Sequence, residues 1–422
     1  MQKFIGYKCS LCGKSYDADD KIYTCSVDGG NLDVILDFDS IKKTISIETI
    51  TNSRDNSIWR YLPLLPVEKK IGDQTPMQFV GGTPMFRHPQ AAEFGINDLF
   101  IKDESRNPTA SFKDRASAIV VTRAKEIGSE VVVTASTGNA GAALAGISAA
   151  VGQRSIIFAP KTAPSAKVAQ LLVYGSQVIL VDGTYDDAFD LSVLASSEFG
   201  WYCRNTGYNA FTVEGKKTAS FEVWEYFYHQ QALQGPKNGV VNFDNLTVMV
   251  SVGDGNIISG IHKGFKDLYQ LGWISKVPRI IGVQSEGSAA VANAFNNHSE
   301  EIIPVKATTL ADSISVDLPR DGVRAVRAAT ETGGTYILVP DEEIVKSIAL
   351  LGKIGIFSEP AGATAYAGFQ KAVALGLFDR NSNVVVFNTG SGLKDVNTAM
   401  KAVQPAPIIE PTLANVKRLI KG

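Results

Sequence analysis

Long apolar runs and a surplus of basic residues are both missing from this sequence of 422 residues. No segment reaches the roughly 18 uninterrupted apolar residues of a membrane-spanning helix, and the first residues lack the apolar stretch of a secretion signal. The formal net charge of −2 argues against nucleic acid or an anionic membrane as a partner. We therefore expect a cytoplasmic protein that acts on a small molecule.

Cysteine and histidine are also scarce, with four of each. Three cysteines, Cys9, Cys12 and Cys25, lie close together, and Asp28 stands where a fourth ligand of a zinc ribbon belongs. A structural zinc site normally has four thiolate or imidazole ligands in two such turns. Two alternatives follow: a zinc site with three thiolates and one carboxylate, or a degenerate ribbon that keeps the turns without a metal. The missing fourth thiol favours the second, so no metal is expected.

The chain divides into an N-terminal segment and a longer region of alternating strands and helices. Residues 1–75 combine knuckle-like turns with an alternating apolar pattern from Thr44 to Ile50, which predicts a strand. From about residue 98, short β-type segments alternate with helical ones. A long helical pattern over Val213–Ala232 separates two such groups. Alternation of this kind is typical of right-handed βαβ units and parallel sheets.

This order predicts an α/β fold in which two doubly wound open-sheet domains follow a zinc-ribbon-like N-terminal extension. The predicted limits are 1–75 for the extension, 76–101 together with 203–422 for a large domain, and 102–202 for a small domain. Ligands of such folds bind at the carboxyl ends of the strands. We therefore expect the functional site in the cleft between the two domains.

A lysine at a predicted helix start is the first candidate for chemistry. Ser111 followed three residues later by Asp114 resembles a capping box, which places Lys113 in the first helical turn. A cation there opposes the helix dipole, and burial lowers the pKa of an amine. Lys113 is therefore a candidate for a neutral amine that attacks a carbonyl group.

Three loops that follow predicted strands supply further candidates. Backbone N–H groups at a helix N-terminus bind anions, and glycines let the backbone approach a phosphate closely. A hydroxyl can meet a ring nitrogen without protonating it. The loops are Ser136-Thr137-Gly138-Asn139 after Val131–Ala135, Gly253-Asp254-Gly255-Asn256-Ile257 after Leu246–Val252, and the segment beginning with Thr389 after Val384–Asn388.

Two motifs carry a resemblance to a known family. They are Asn107-Pro-Thr-Ala-Ser-Phe-Lys113-Asp-Arg115 and Thr389-Gly-Ser-Gly-Leu-Lys-Asp395. The first is similar to the cofactor-lysine motif of threonine synthases, and the second to their C-terminal pyridine motif. With the two loops between them, they resemble the fold-type II enzymes that use pyridoxal 5′-phosphate (PLP), over roughly residues 75–400. The resemblance implies PLP as the cofactor and an amino acid as the substrate.

The resemblance also implies roles for individual residues. Lys113 would carry the cofactor, Asn139 would bond its 3′-oxygen and Thr389 would face its ring nitrogen. The cofactor phosphate would be held by Gly253, Asp254, Gly255, Asn256 and Ile257. The substrate would be held by Ser136, Thr137 and Gly138 at its α-carboxylate, and by Asn205 and Thr206, which are similar to an Asn-Ser pair of the family.

The implied reaction converts O-phospho-L-homoserine and water to L-threonine and phosphate, and we expect a homodimer. Two positions depart from the family's pattern: Ala140 replaces a threonine, and Thr212 replaces a phosphate-binding arginine. Lys216, Arg204 and Arg106 are candidates to replace that arginine. Three alternatives stay open: β-replacement on a phosphorylated three-carbon amino acid, as in cysteate synthase; serine or threonine dehydration; and a non-catalytic PLP-binding homologue.

Overall fold

The computed structural model of the chain describes residues 3–233 and 239–421. Its strands are β1 Phe4–Cys9, β2 Ser15–Asp17, β3 Leu32–Leu36, β4 Met85–Arg87, β5 Asp98–Asp103, β6 Val131–Ala135, β7 Arg154–Pro160, β8 Gln177–Val181, β9 Tyr202–Cys203, β10 Leu246–Ser251, β11 Arg279–Ser285, β12 Thr335–Val339 and β13 Asn383–Asn388.

Its α-helices are α1 Phe38–Thr44, α2 Ile47–Thr51, α3 Lys113–Glu126, α4 Asn139–Ala150, α5 Ser165–Val173, α6 Tyr185–Phe199, α7 Phe211–Lys216, α8 Thr218–Ala232, α9 Asn256–Leu271, α10 Ala290–Asn296, α11 Gly322–Thr330, α12 Asp341–Lys353, α13 Pro360–Ala374, α14 Val396–Met400 and α15 Leu413–Lys421. Across these two described ranges, we find no helix with the length and hydrophobicity of a membrane span.

The larger sheet has six strands in the order β12-β11-β10-β13-β5-β4. Neighbouring strands are parallel except at the edge, where β4 pairs antiparallel with β5. Buried side chains cover both faces: Val248 and Val250 pack with α9 and α11, whereas Met249 packs with α12 and α13. β10 and β13 are neighbours, so the loops that follow them leave the same edge of the sheet side by side.

The smaller sheet has four parallel strands in the order β8-β7-β6-β9. Together with the larger sheet it confirms the predicted fold class of two doubly wound open sheets. β5 ends at Asp103 and β9 begins at Tyr202, so the predicted limits after residues 101 and 202 fall inside these strands. We propose that each strand belongs with the sheet it pairs with, which moves both domain limits to the strand ends.

The N-terminal extension contains an antiparallel sheet in the order β2-β1-β3. It packs on the main body through Phe4 and Tyr7, whose rings lie edge-on to Phe211 with centroid distances of 5.5 and 6.3 Å. The predicted strand from Thr44 to Ile50 is wrong, because this segment ends α1 and begins α2. Ser46 starts α2 in a reciprocal capping box with Thr49, and this local capping outweighs the alternating pattern.

The helical pattern over Val213–Ala232 is realised as two helices, α7 and α8, that meet at Lys217. The Thr218 hydroxyl donates to the backbone oxygen of Gly215 at 2.6 Å, a side-chain bond that competes with the regular helical ladder. Gly215 also lets α7 pack closely on α3, since a Cβ there would lie 2.0 Å from the backbone oxygen of Arg115. The helix pair therefore holds the start of α3 in place.

Candidate active site

A cavity of about 480 Å³ lies at the carboxyl ends of both parallel sheets. Small-molecule sites typically have volumes of about 300–1,000 Å³, so this cavity can hold a cofactor together with an amino acid. The loops after β6, β9, β10 and β13 form its wall. The predicted residues in that wall are Lys113, Ser136, Thr137, Gly138, Asn139, Thr206, Gly253, Asp254, Gly255, Asn256, Ile257 and Thr389.

Lys113 is the first residue of α3 and lines the cavity. In the described part of the chain, no carboxylate oxygen lies within 4.0 Å of its amine. Burial lowers the pKa of Lys113 below its ordinary value, and Asp254 opposes this only in part. Because a lowered pKa leaves more of the amine neutral, Lys113 is suited to attack a carbonyl group.

The start of α3 differs from the predicted capping box. Phe112 is the N-cap residue and contributes no side-chain cap. The Asp114 carboxylate instead accepts a hydrogen bond from the backbone N–H of Thr109 at 2.6 Å, and the Ser111 hydroxyl is buried without a partner. The prediction of capping is wrong because Ser111 forms a β-bridge with Gly390, although Lys113 does lie in the first turn.

The lysine loop is bound to the loop after β13. The backbone N–H of Phe112 donates to the Thr389 oxygen at 2.9 Å, and Ser391 N–H donates to the Ala110 oxygen at 3.1 Å. Ala110 has a φ of 64°, which is uncommon for a residue with a Cβ and is often found at functional sites. These bonds place Thr389 next to the residue that precedes Lys113.

The loop after β6 leads directly into α4. Its Gly138 N–H donates to the Ser136 hydroxyl at 3.2 Å, and no side chain caps the helix that starts at Asn139. A Cβ at Gly141 would lie 2.2 Å from the Ser136 oxygen, so a glycine is needed for this close turn. The uncapped N–H groups form a cradle for an anion such as a carboxylate.

The loop after β10 also leads into a helix without a side-chain cap, and its glycines make closer contacts with neighbouring backbone. Gly255 has a φ of 88°, and a Cβ there would lie 2.6 Å from the Asp321 oxygen. A Cβ at Gly253 would lie 2.8 Å from the Ile314 Cα. α9 begins at Asn256 without a side-chain cap, so its first N–H groups and positive dipole end are available to a phosphate.

Lys216 in the cavity wall and Arg204 directly behind it are both fully buried basic residues. The Lys216 amine donates to the Asn256 side-chain oxygen, and burial lowers its pKa well below the ordinary value. Arg204 donates from Nη1 to the Thr206 hydroxyl at 2.7 Å, while its Nη2 is buried without a partner. Burial lowers the pKa of Arg204 to about 10.

The structure separates the three candidates for the missing arginine. Lys216 lines the cavity, and Arg204 lies directly behind Thr206. Arg106 is outside the wall: its side chain is largely exposed and pairs with Asp103 at 3.1 Å. Thr212 is also outside, because it is fully buried and its hydroxyl donates to the Asn209 oxygen at 2.7 Å.

Asn205 does not contact the cavity in the predicted way. Its side-chain oxygen accepts from the Ala135 N–H at 2.8 Å, and its amide nitrogen donates to the Ser192 hydroxyl at 2.8 Å. Both ends of the amide are therefore used within the protein. The substrate-binding role expected for Asn205 is corrected to that of a brace behind the end of β6.

Glu359 is a site residue that the sequence did not reveal. Its Oε1 accepts from the Asn139 amide at 2.7 Å, so Asn139 contacts a carboxylate where a cofactor oxygen was expected. Burial raises the pKa of Glu359 to about 7, and Lys113 opposes this shift. The residue precedes Pro360 at the start of α13, which looks like an ordinary helix start, so no local signal marks it.

The described residues fit PLP, the cofactor implied by the motifs. Lys113 offers an amine without an ionic partner, and the glycine loop with Lys216 offers a positive cradle for a phosphate. Asn139 and Thr389 line the same cavity and would supply polar groups for the cofactor ring. The Ser251 hydroxyl in the same wall is buried without a partner, which is expected of a group that meets a bound molecule.

Fold and site together define a PLP-dependent enzyme of fold type II. Residues 76–390 match the family of pyridoxal-phosphate dependent enzymes. The solved structure of the processed form of threonine deaminase isoform 2 from Solanum lycopersicum superposes with a TM-score of 0.62. That match covers 76% of this chain and 87% of that chain at 21% sequence identity, and it shows the same fold.

Curated relatives narrow the class. A threonine synthase from Methanocaldococcus jannaschii is 40% identical, over 98% of this chain and 99% of its own length. A threonine synthase from Methanosarcina acetivorans is 36% identical, over 98% of both chains. Within the PLP-dependent enzymes, the chain therefore belongs to the threonine synthase family. The resemblance carried by the motifs and the cofactor are confirmed.

Proposed function

We propose that the enzyme converts O-phospho-L-homoserine and water to L-threonine and phosphate, with the cavity described above as its active site. The observation that carries this proposal is a set of amine and guanidinium groups at the cavity that have no carboxylate partner. Lys113 is half-buried in the wall, Lys216 and Arg204 are fully buried in or behind it, and none of the three pairs with a carboxylate within 4.0 Å in the described ranges. Buried cations without partners are costly, so they favour anionic ligands.

Two of these basic residues can each be assigned to a phosphate group, one of the cofactor and one of the substrate. Lys216 bonds Asn256 at the start of α9, so it belongs with the glycine loop and the cofactor phosphate. Arg204 bonds the Thr206 hydroxyl, and Thr206 lines the cavity. Because that hydroxyl oxygen accepts from Arg204 Nη1, the O–H group remains available to donate to another acceptor. We assign this acceptor as the substrate's phosphate, and Arg204 takes over the charge of the missing arginine.

The remaining residues act on the amino-acid part of the substrate. PLP, when bound, supplies an electron sink that stabilises negative charge on the substrate's carbons. Ser136, Thr137 and Gly138, which line the cavity before α4, orient the α-carboxylate. Lys113 Nζ, with its lowered pKa, takes and returns protons at the carbons beside it.

A substrate panel tests the proposal. Purified enzyme with PLP should release phosphate from phosphohomoserine and form threonine, at about 1 per second or more. Phosphate release from phosphoserine that depends on sulfite would favour β-replacement, and 2-oxo acid from serine or threonine would favour dehydration. Lys113→Ala is the inactive control. A wild-type enzyme that binds PLP but turns over none of these substrates would point to the non-catalytic homologue.

A pair of matched variants tests the phosphate assignment. Thr206→Val removes a hydroxyl of a half-buried residue that lines the cavity, and Thr212→Val removes a hydroxyl of a fully buried residue that does not. A hydrogen bond to a charged group contributes about 1.5–3 kcal/mol. Thr206→Val should therefore raise the KM for phosphohomoserine by roughly 10-fold or more, whereas Thr212→Val should leave it near the wild-type value. Equal KM values in both variants would contradict the assignment.

The proposal includes a homodimer in the cytoplasm. Support for the dimer comes from the last described residues, where apolar side chains such as Ile408, Leu413 and Ile420 are 99%, 68% and 78% exposed. Exposed apolar groups of this kind favour a protein partner, and a second copy of the chain is the simplest one. Support for the compartment comes from the four cysteines, none of which forms a disulfide.

A further inference from the structure

We propose that Cys9, Cys12, Cys25 and Asp28 form a structural Zn²⁺ site in the N-terminal extension. One ligand atom from each residue, three sulfurs and a carboxylate oxygen, lies within 4.8 Å of the other three. The spacing of the sequence favoured a ribbon without metal, but spacing alone does not show that Asp28 turns toward the thiols. Three thiolates with a carboxylate are a chemically reasonable zinc set.

The two turns that carry these residues have the same backbone. The Cys9 sulfur accepts the N–H of Leu11 at 3.3 Å, and the Cys25 sulfur accepts the N–H of Val27 at 3.4 Å. Each turn ends with a glycine of positive φ, 75° at Gly13 and 70° at Gly29. The glycine N–H groups donate to the oxygens of Cys9 and Cys25 at 3.1 and 2.9 Å. Asp28 therefore occupies the position in its turn that Cys12 occupies in the other.

The distances between donor atoms agree with tetrahedral zinc. Zinc–sulfur bonds of about 2.3 Å in a tetrahedron separate two sulfurs by roughly 3.8 Å; the sulfurs of Cys12 and Cys25 are 3.6 Å apart. A sulfur and a carboxylate oxygen should be roughly 3.5 Å apart, and Cys9 Sγ is 3.3 Å from Asp28 Oδ1. A disulfide needs about 2.05 Å between sulfurs, so Cys12 and Cys25 are not joined by one, and their spacing leaves room for an ion.

The zinc site would also stabilise the wall of the catalytic cavity, and this part of the proposal rests on the proposed function. Asn31 lies between the turns and the body: its backbone oxygen accepts the Ser10 N–H at 2.9 Å. Its side-chain amide donates to the oxygens of Gly207 and Arg320 at 2.6 and 3.1 Å. Gly207 follows Thr206, and Arg320 lines the cavity. Zinc would fix the turns that hold Asn31 against both.

Metal analysis of the full-length protein tests the site without reference to activity. Protein purified without chelators should contain about one zinc per chain. Cys12→Ser and Asp28→Ala should lose most of it, whereas Asp28→Cys should retain it, since a fourth thiolate completes an ordinary site. Asp19→Asn is the control, because Asp19 is an exposed acidic residue of the same extension. Circular dichroism shows whether each variant is folded.

Cobalt gives a second, independent readout. Co²⁺ added to zinc-stripped, reduced protein should give visible bands of tetrahedral cobalt and an ultraviolet thiolate band, and Cys12→Ser should weaken both. Wild-type protein that contains no zinc and shows no such bands overturns the proposal, as does a Cys12–Cys25 disulfide that persists in protein purified with a thiol reductant. An Asp28→Ala variant with unchanged zinc overturns the carboxylate ligand. Because neither readout uses turnover, a wrong substrate assignment leaves these outcomes intact.

Discussion

Among single residues, Glu359 is the member of the site that could not be predicted from the sequence. Lys113, Asn139, the glycine loop and Thr389 could be predicted because each follows a strand or starts a helix within a specific motif. Glu359 and Lys113 line the same cavity only because α13 packs against the larger sheet, and no local sequence pattern indicates that packing. Arg204 is similar: its charge is read from the sequence, but its complete burial and unpaired Nη2 are products of the tertiary structure.

The pKa of Glu359 yields a prediction on stability. Its folded-state value of about 7 exceeds the ordinary value of 4.5, so folding favours the protonated acid. The stability this contributes is fully present below about pH 4.5 and is lost as the pH rises through 7. Because the glutamine of Glu359→Gln stays neutral, the free energy of unfolding of the cofactor-free variant should exceed that of cofactor-free wild type by about 3 kcal/mol at pH 8. The two values should differ little at pH 4.5.

Urea unfolding of both cofactor-free proteins, measured between pH 4.5 and 8, checks this expectation. Glu342→Gln, which changes an exposed glutamate on α12, serves as the control and should follow wild type at every pH. A constant difference between Glu359→Gln and wild type across the range would mean that Glu359 does not titrate there.

At the scale of elements, α3 is anchored by a buried ionic network rather than by its own cap. Arg115 Nε donates to Glu104 Oε2 and Nη1 to Glu222 Oε1, both at 2.7 Å. Lys102 on β5 donates to Glu222 Oε2 at 2.6 Å. The network joins β5, α3 and α8 two residues after Lys113, so it fixes the direction in which the lysine enters the cavity.

Removing one member of this network should be severely destabilising. Arg115→Leu leaves two buried carboxylates with only Lys102 as a cation, and breaking such a network costs about 3–5 kcal/mol. Arg154→Leu breaks an exposed pair with Glu130 and should cost less than about 1 kcal/mol. Denaturant unfolding of both variants gives the comparison. Similar losses in both variants would show that the buried network does not anchor α3.

The predicted elements succeed where periodicity and capping agree and fail where they compete. Strands β6, β10 and β13 lie where the apolar segments predicted them, because parallel strands buried on both faces are nearly all apolar. The segment from Thr44 to Ile50 alternates like a strand, yet the Ser46 cap makes it helical. At Ser111 a local signal is overridden by a distant contact: the predicted capping box does not form because the Ser111 backbone pairs with Gly390.

At the scale of the whole molecule, both sheets direct their carboxyl ends at one cavity, which the strand order predicted. Beyond α14 the chain has a different character. Residues 403–420 are exposed almost throughout, and α15 carries its apolar residues Leu413, Val416 and Ile420 at helical spacing. A nine-residue helix is marginal in water without packing. We therefore expect α15 to be stabilised by the second subunit of the proposed dimer.

A charge-substitution experiment tests this expectation. The double variant Leu413→Glu and Ile420→Glu places two charges on the apolar face of α15, where burying them against a partner without counter-charges is costly. Light scattering should show a dimer for wild type and a monomer for the variant. Arg418→Glu alters charge on the side of the same helix opposite Leu413, Val416 and Ile420 and should remain dimeric. Because α15 lies outside the wall of the catalytic cavity, the cofactor absorbance of the monomeric variant should match that of wild type. A monomeric wild type, or a double variant that stays dimeric, would show that α15 does not form the interface.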